Sequence, residues 1–107
     1  MPSTPSRTAI LVMNTTGGPI LCPLFAKCDG LLLFESDGSS HFLRNTEGVA
    51  RGLTDHILNV HPDRLLCGFI PTAERQVLAA AGIDIRLGSC SVAVDELVKS
   101  FATLPKA

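Results

Sequence analysis

The chain has 107 residues, 46% of them hydrophobic, and its nine Lys and Arg residues against ten Asp and Glu residues give a formal net charge of -1. It is long enough to bury one core and too short for two ordinary domains, so we expect a single domain. A near-neutral chain has no broad basic surface to bind a nucleic-acid backbone. It also lacks Trp and Tyr, whose rings commonly stack on bases. Nucleic acid is therefore not expected as a main partner.

Residues 1–8 are rich in Pro, Ser and Thr and are interpreted as a flexible N-terminal tail. The longest apolar runs are far shorter than the roughly 20 residues of a membrane helix, and the first run is too short for the core of a signal peptide. We therefore expect a cytoplasmic protein with no membrane partner. Its four cysteines are expected to be reduced thiols or metal ligands, although a disulfide between Cys22 and Cys28 remains open.

The first half of the chain predicts three strands and one long loop. Residues 9–14 are a continuous apolar run that ends in Asn-Thr-Thr-Gly-Gly-Pro, which predicts a strand buried on both faces and then a turn. Residues 14–28 follow as a glycine-rich loop that carries two thiols. Residues 30–35 and 40–44 flank an Asp-Gly pair, which predicts an antiparallel hairpin.

Helices alternate with strands in the second half. An apolar stripe at helical spacing predicts a helix over residues 47–60, which Pro62 stops. Residues 64–70 are typical of a buried strand. The next helix is predicted over residues 72–81, with Gly82 as its left-handed cap.

A short strand over residues 83–87 and a last helix are predicted to complete the fold. Residues 104–107 are expected to leave the fold as a C-terminal tail. The order is then β β β α β α β α over residues 9–103, an α/β domain with a five-stranded mixed sheet and three helices. Ser91 is predicted to cap the last helix, which would bury Val92, Val94, Leu97, Val98 and Phe101.

The predicted topology indicates where a ligand would bind. Strands joined through a helix are expected to lie parallel, and ligands of such sheets bind outside the carboxyl ends of the strands. In this chain those ends are residues 14–28, 70–72 and 88–91. We expect the functional site there.

Three cysteines in or beside these segments are candidate metal ligands, because thiolates are preferred by soft metals and sulfide clusters. They are Cys22, Cys28 and Cys90. Each has a simpler interpretation: Cys22 as an ordinary loop thiol, Cys28 as a small buried residue that begins a strand, and Cys90 as a connector or a reactive thiol. Cys67 lies inside a strand and is expected to pack in the core.

The same segments offer groups that can hold an anion. Gly17 and Gly18 permit a turn that leaves backbone N–H groups free, although a tight turn without a ligand explains them equally well. Thr72 and Ser91 are predicted helix caps, and a helix N-terminus also attracts anions. Lys27 could add a positive charge. No Ser/His/Asp arrangement and no phosphate loop is present in the sequence, so we expect no enzyme.

Local patterns in this order resemble the dinitrogenase iron-molybdenum cofactor biosynthesis family, which includes NifX-like proteins and the C-terminal part of NifB. The marks are the Gly17-Gly18 loop, Phe25 followed by a small residue, and Ala73 with Leu78, Ala81, Gly82 and Ile83. Three features depart from the family pattern. Leu24-Phe25-Ala26 replaces His-Phe-Gly, Ile70 replaces the second glycine of a Gly-x-Gly turn, and a His- and Gly-rich loop before the first long helix is missing.

The resemblance implies a ribonuclease H-like three-layer fold and a non-catalytic carrier of an iron-molybdenum or molybdenum-copper sulfide cluster, which can be isolated as apoprotein. The implied partners are the proteins that donate and accept the cluster. Alternatives are a thiol redox enzyme or sensor that uses Cys90 or Cys22, and a regulatory protein-interaction module with a vestigial pocket. The expected cofactor-binding residues are Thr16, Gly17, Gly18, Cys22, Phe25, Lys27, Thr72 and Ser91, and the expected metal ligands are Cys22, Cys28 and Cys90.

Overall fold

The computed structural model describes residues 7–45 and 50–107, which form six strands and three α-helices. The helices are α1 (Ala50–Val60), α2 (Thr72–Ala80) and α3 (Val94–Lys99), with short 3-10 helices at Phe25–Lys27 and Phe101–Thr103. The strands are β1 (Thr8–Thr15), β2 (Gly18–Leu21), β3 (Gly30–Phe34), β4 (Ser40–Arg44), β5 (Arg64–Cys67) and β6 (Asp84–Leu87).

The strands form one mixed sheet in the order β4-β3-β1-β5-β6, with β2 paired to β1. The strands β1, β3 and β4 are antiparallel neighbours, whereas β1, β5 and β6 run parallel. The α/β class, the hairpin around Asp37-Gly38 and the parallel crossovers are therefore confirmed. Gly38 has a φ of 91°, a positive value that this hairpin turn requires and that glycine adopts readily.

The central strand β1 is buried on both faces, as its apolar run predicts. Ala9 and Leu11 face a core that includes Leu53 and Ile57 of α1 and Leu78 of α2. Ile10 and Val12 face the opposite core, which contains Val94 and Leu97 of α3 together with Phe101. Helices thus cover both faces of the sheet, and each buried aliphatic side chain contributes about 1.5–3 kcal/mol.

The expectation of five strands is wrong, because the segment predicted as a loop contains a further strand. Residues 18–21 fold back on β1, with Thr15 opposite Gly18 and Val12 opposite Leu21. Gly18 adopts a φ of 110°, which permits the tight reversal, and the Thr15 hydroxyl donates to the Gly18 carbonyl at 2.6 Å. One glycine and one proline among these four residues conceal the strand in the sequence.

Both predicted helix caps are wrong. Pro71 precedes α2 in an extended conformation, so Thr72 is the first helical residue and not its cap. The helix α3 starts at Val94, three residues after Ser91, because the hydroxyl of Ser89 instead contacts the Ser91 hydroxyl at 2.7 Å and accepts from the Ser91 amide at 3.2 Å. This local bonding makes a turn where a helix was expected. Val92, expected in the core, is 39% exposed.

The first helix was predicted to start at Glu47, and residues 46–49 lie outside the described ranges. The last residues do not leave the fold as expected. The Leu87 amide donates to the Pro105 carbonyl at 2.9 Å, and the Ala107 amide donates to the Ile85 carbonyl at 3.0 Å. The final residues therefore extend the sheet beside β6, since that strand otherwise presents an unpaired edge.

Candidate thiol site

The candidate site lies where β2 and β5 meet end to end. Val12 of β1 pairs with Gly30 of β3 on one edge and with Leu21 of β2 on the other. The edge that carries β2 is also the edge that carries β5, which pairs with β1 as far as Ile10. The strand β5 therefore runs toward the residue that follows β2, which is Cys22.

Close backbone packing holds this junction together. A Cβ atom on Gly68 would lie 2.9 Å from the Cys22 carbonyl oxygen and 3.0 Å from the Pro23 Cα, so the two segments touch. The Gly88 amide donates to the Cys67 carbonyl at 3.0 Å, and a Cβ atom on Gly88 would lie 3.2 Å from Leu21. The carboxyl ends of β5 and β6 thus converge on the end of β2, at the edge where the topology predicts ligand binding.

We call the three convergent segments, residues 22–24, 68–70 and 88–92, the thiol rim. None of these eleven residues is charged. Each segment exposes one large apolar side chain: Leu24 is 56% exposed, Phe69 is 55% exposed and Val92 is 39% exposed. The rim is therefore an uncharged and partly apolar opening, with one buried and one exposed thiol.

Cys22 is the buried thiol of the rim. Its side chain is only 2% exposed, and its Sγ lies 3.1 Å from the Leu24 carbonyl oxygen, to which the thiol donates. Burial raises the pKa of Cys22, and the negative charges of Asp29 and of an ionised Cys90 raise it further. Cys22 is thus a protonated thiol at neutral pH, and Cys90 lies near enough to influence its pKa.

Cys28 lies on the other side of Cys22, just before β3. It is 5% exposed, and the Asn45 side-chain amide lies 3.0 Å from its carbonyl oxygen and 3.7 Å from its Sγ. Burial raises the pKa of Cys28 to about 11, with a smaller contribution from the charge of Cys22. The thiol forms part of the wall of a cleft of about 350 Å³, lined also by Asn14, Asp29, Phe42, Arg44 and Asn45.

The other two cysteines differ sharply in exposure. Cys90 is exposed in the turn between β6 and α3. Cys67 is fully buried in β5, in the core position expected for it, and burial raises its pKa to about 12. All four cysteines are free thiols, so the disulfide left open between Cys22 and Cys28 is absent.

Of the three predicted metal ligands, Cys28 and Cys90 both lie near Cys22, but the three thiols do not form a complete metal site. Within residues 7–45 and 50–107, no group of three or more Cys, His, Asp or Glu side chains is close enough to hold one metal ion. Cys28 and Cys90 each lie close enough to Cys22 for the charge of one ionised thiol to raise the pKa of another. A metal held by more than two of these thiols would therefore need a rearrangement or ligands of its own, such as sulfide.

The glycine turn is separated from the thiol rim. Thr16 and Gly17 form the exposed tip of the hairpin between β1 and β2. Cys22 bonds to Leu11, four residues from Thr15, which is roughly 13 Å at the rise of a strand. The structure thus does not bring the amides of Gly17 and Gly18 to the rim.

The remaining predicted residues surround the rim at different depths. Phe25 is buried in the core beneath it, and Lys27 is exposed at the end of the short 3-10 helix. Thr72 is exposed at the start of α2, close in sequence to Phe69. Ser91 belongs to the rim, where its hydroxyl pairs with that of Ser89.

Sequence reasoning missed the residues that support Cys28. The Asp29 carboxylate accepts a hydrogen bond from the Asn14 backbone amide at 2.7 Å, and the Asn45 backbone amide donates to the Asp29 carbonyl at 2.9 Å. These bonds fix the ends of β1, β3 and β4 around the cleft. An Asp or Asn at a strand end is a weak signal, because such residues are common in turns.

Comparison with known proteins identifies the fold. Neither a family model nor a curated protein matches the chain by sequence. Among solved structures, the apo form of the orange protein from Desulfovibrio gigas is similar, with a TM-score of 0.81 and 18% identity over 95% of this chain and 92% of that chain.

Two further solved structures share the architecture. One is a suggested NifB protein from Thermotoga, described as a member of the DUF35 family, with a TM-score of 0.73 and 16% identity over 92% of this chain and 88% of its own. The other is a suggested dinitrogenase from Methanocaldococcus jannaschii, with a TM-score of 0.76 and 19% identity over 98% of this chain and 97% of its own. At these identities the likeness establishes a common fold along nearly the whole chain.

None of the three helices in the described ranges has the length and apolar character needed to cross a bilayer.

Proposed function

We propose that this protein is a non-catalytic carrier of an anionic metal-sulfur species, an iron-molybdenum or molybdenum-copper sulfide cluster or its precursor. We also propose that it belongs to the dinitrogenase iron-molybdenum cofactor biosynthesis family and has a ribonuclease H-like fold. The sequence marks of that family support both proposals, as do similar folds in a suggested NifB protein and a suggested dinitrogenase. The observation that carries the function is the pair of thiols, Cys22 and Cys90, at the meeting point of three strand ends.

The chemistry of the rim favours sulfide-rich cargo over an oxyanion. Thiolates select soft metals such as Cu(I) and the metals of sulfide clusters, whereas oxygen ligands suit hard cations. The rim has no charged residue, so a hard and strongly hydrated anion would lose its water there without a compensating charge. A sulfide-bridged anion spreads its charge over large polarisable atoms and can contact Leu24 and Phe69 at a lower cost of desolvation.

The cargo itself can complete the coordination. Cys22 and Cys90 offer two thiols at the rim, and Cys28 lies on the far side of Cys22. Sulfide ligands that belong to the cluster would fill the remaining positions of the metal. Lys27 is exposed next to Cys28 in the sequence and would add a positive charge near the anion. Donor and acceptor proteins would then exchange the cargo at this opening.

The test is anaerobic purification followed by metal analysis, and reconstitution of the reduced apoprotein with tetrathiomolybdate and Cu(I). We expect molybdenum or copper to co-elute with the protein and to give sulfide-to-metal charge-transfer bands. The variants Cys22→Ser and Cys90→Ser are expected to lose this uptake. Cys67→Ala is the matched control, because it also removes one thiol but lies in the core. A colourless protein that refuses the metals in the reduced state would refute the proposal.

The exposed apolar side chains of the rim favour a second candidate, a regulatory interaction module with a vestigial pocket. Leu24 and Phe69 are each more than half exposed and lie on adjoining segments of the rim, and apolar side chains grouped at a surface mark sites of protein interaction. This function requires no thiol. It therefore predicts that a triple variant with Ser at positions 22, 28 and 90 keeps the activity of the protein in its host, whereas the carrier function predicts loss.

A further inference from the structure

The turn that carries Cys90 is built differently from the rest of the rim. Residues 89–92 belong to no strand or helix, and their bonds are local: the Ser89–Ser91 hydroxyl contact, and the Val92 amide donating to the Ser89 carbonyl at 3.2 Å. Such a turn can shift without breaking the sheet, since its bonds move with it. The turn is anchored at Gly88, whose amide donates to Cys67.

Cys22 is held on a rigid base beneath that turn. Its amide donates to the Leu11 carbonyl at 2.8 Å, so the residue is fixed to the central strand. Gly68 packs against its carbonyl group, and Gly88 packs against Leu21, the residue before it. The exposed thiol of Cys90 and the buried thiol of Cys22 therefore stand on neighbouring segments, one held by local bonds and the other bonded to the central strand.

We propose that Cys22 and Cys90 form a reversible disulfide that closes the thiol rim under oxidising conditions. Oxidation by hydrogen peroxide would begin at the exposed Cys90: its sulfur takes one oxygen atom as a sulfenic acid, and one water leaves. The Cys22 sulfur then attacks the sulfur of Cys90, the S–S bond forms, and the sulfenic oxygen leaves as a second water with the Cys22 proton. Two thiols and one peroxide thus give one disulfide and two waters, and a dithiol reverses the step by exchange.

Cys22 and Cys90 are selected by their place at the rim, because Gly88 at the end of β6 packs against Leu21 at the end of β2. Cys67 is fully buried in β5, and Cys28 precedes β3, which pairs with the opposite edge of β1. Cys28 is also fixed on both sides, because the Asp29 amide donates to the Val12 carbonyl and the Asn45 side chain contacts the thiol. Cys90 is exposed, and it alone of the four is open to a peroxide in solution.

The consequence for the site rests on the proposed carrier function. A disulfide occupies both sulfurs of the rim, so neither can ligate a metal. The oxidised protein would then be unable to load cargo, and reduction would restore loading. The protein would exchange sulfide clusters only while its surroundings are reducing.

Digestion with trypsin identifies which cysteines are linked by a disulfide. Cleavage after Lys27, Arg64 and Arg86 places each of the four cysteines on a peptide of its own. The experiment treats the reduced apoprotein with one equivalent of hydrogen peroxide, blocks free thiols, and identifies linked peptides by mass spectrometry. We expect intact protein that has lost two hydrogens and one linked pair, which joins the peptides of Cys22 and Cys90. Cys28→Ser and Cys67→Ala should keep that pair, and Cys22→Ser and Cys90→Ser should lose it.

Three outcomes would overturn the inference: a Cys22–Cys28 pair, a dimer linked through two copies of Cys90, or Cys90 oxidised to sulfinic acid while Cys22 remains free for alkylation. The carrier function is read separately, from uptake of tetrathiomolybdate and Cu(I) by the reduced protein. Uptake without the disulfide refutes only this inference. The disulfide without uptake refutes only the carrier function, since pairing is measured in the absence of metal.

Discussion

The Cys22 carbonyl oxygen and Gly68 approach so closely that no side chain fits between them: a Cβ atom on Gly68 would lie 2.9 Å from that oxygen. The oxygen belongs to the backbone and the added Cβ atom would be bonded directly to it, so neither atom can be moved aside by side-chain rotation. The position after β5 therefore needs glycine for space, and the end of β2 keeps its place because Gly68 leaves that space open.

Gly68→Ala is accordingly expected to destabilise the protein by roughly 1–3 kcal/mol, because overpacking must displace the backbone of Cys22 or of Pro23. Gly17→Ala is the matched control: its nearest neighbour would be Thr15 Oγ1 at 3.9 Å, and its φ is not positive. We expect the control to change stability by less than about 0.5 kcal/mol. Urea denaturation measures both, and equal effects of the two variants would contradict the packing argument.

Metal uptake at the rim should strengthen as the pH rises. A thiol loses its proton when it binds a metal, and burial raises the pKa of Cys22 above its ordinary value. Each bound thiol therefore costs about tenfold in affinity for every pH unit below its pKa. Titration with Cu(I) against a competing chelator measures the affinity of the site at about pH 6.5 and at about pH 8.5. Affinity that is independent of pH would mean that the metal is bound by other groups.

The folded protein should lose stability in alkaline solution. Burial raises the pKa of Cys67 from 9.0 to about 12 and that of Cys28 to about 11, so the folded state favours the neutral thiols. This contribution is complete below about pH 9, where both states are protonated, and is lost as the pH rises toward these folded values. Cys67→Ala should flatten the decline of the unfolding free energy above pH 9. An unchanged slope would show that Cys67 does not contribute to it.

Arg86 should be needed for the last residues of the chain to stay on the sheet. Its guanidinium group donates to both Asp84 carboxylate oxygens, at 2.8 and 3.1 Å, and to the carbonyl groups of Ala102 and Leu104. It also lies 5.2 Å from the centre of the Phe101 ring. Lysine cannot reproduce this planar set of donors. Arg86→Lys should lower the urea midpoint and speed exchange of the Ala107 amide, whereas Arg44→Lys, exposed at the end of β4, should do neither.

The hydrogen bonds of Asp84 give a second, milder effect at low pH. The Arg86 side chain is the largest cause of the lowered pKa of Asp84. A lowered pKa stabilises the folded state at neutral pH and ceases to do so as the pH falls through that lowered value. The unfolding free energy should therefore fall less between neutral and acid pH in Asp84→Asn than in the wild type. The control is Asp55→Asn, an exposed position on α1, which should leave this pH dependence unchanged.

Much of the fold could be predicted, because buried strands and amphipathic helices have periodic patterns. The double burial of β1, the hairpin at Gly38 and the left-handed cap at Gly82, whose φ is 86°, all follow from local residue types. The strand β2 could not be predicted, since its four residues include Gly18 and Pro19 and its stability comes from pairing with β1. The shift of α3 has a similar cause, because Ser89 bonds to Ser91 by a contact that the sequence pattern does not specify.

The sequence predicted which thiol-bearing segments would come together, but not where the glycine turn lies relative to them. Parallel crossovers determine that the ends of β5 and β6 meet, and this placed Cys22 and Cys90 together in the prediction. The glycine turn was expected beside them because a loop of unknown shape was assumed. Once β2 forms, Gly17 is carried to the far end of a hairpin.

The position of β1 also has a consequence for the order in which the chain folds. This strand precedes all its partners: β2 and β3 follow within the next twenty residues, whereas β5 begins only at Arg64. Closing the shorter loops costs less conformational entropy, so the antiparallel half of the sheet, β1 to β4, should be protected from solvent first. The parallel half, and with it the opening that holds the thiols, would assemble last. In pulse-labelled hydrogen exchange the amides of β3 should gain protection before those of β5.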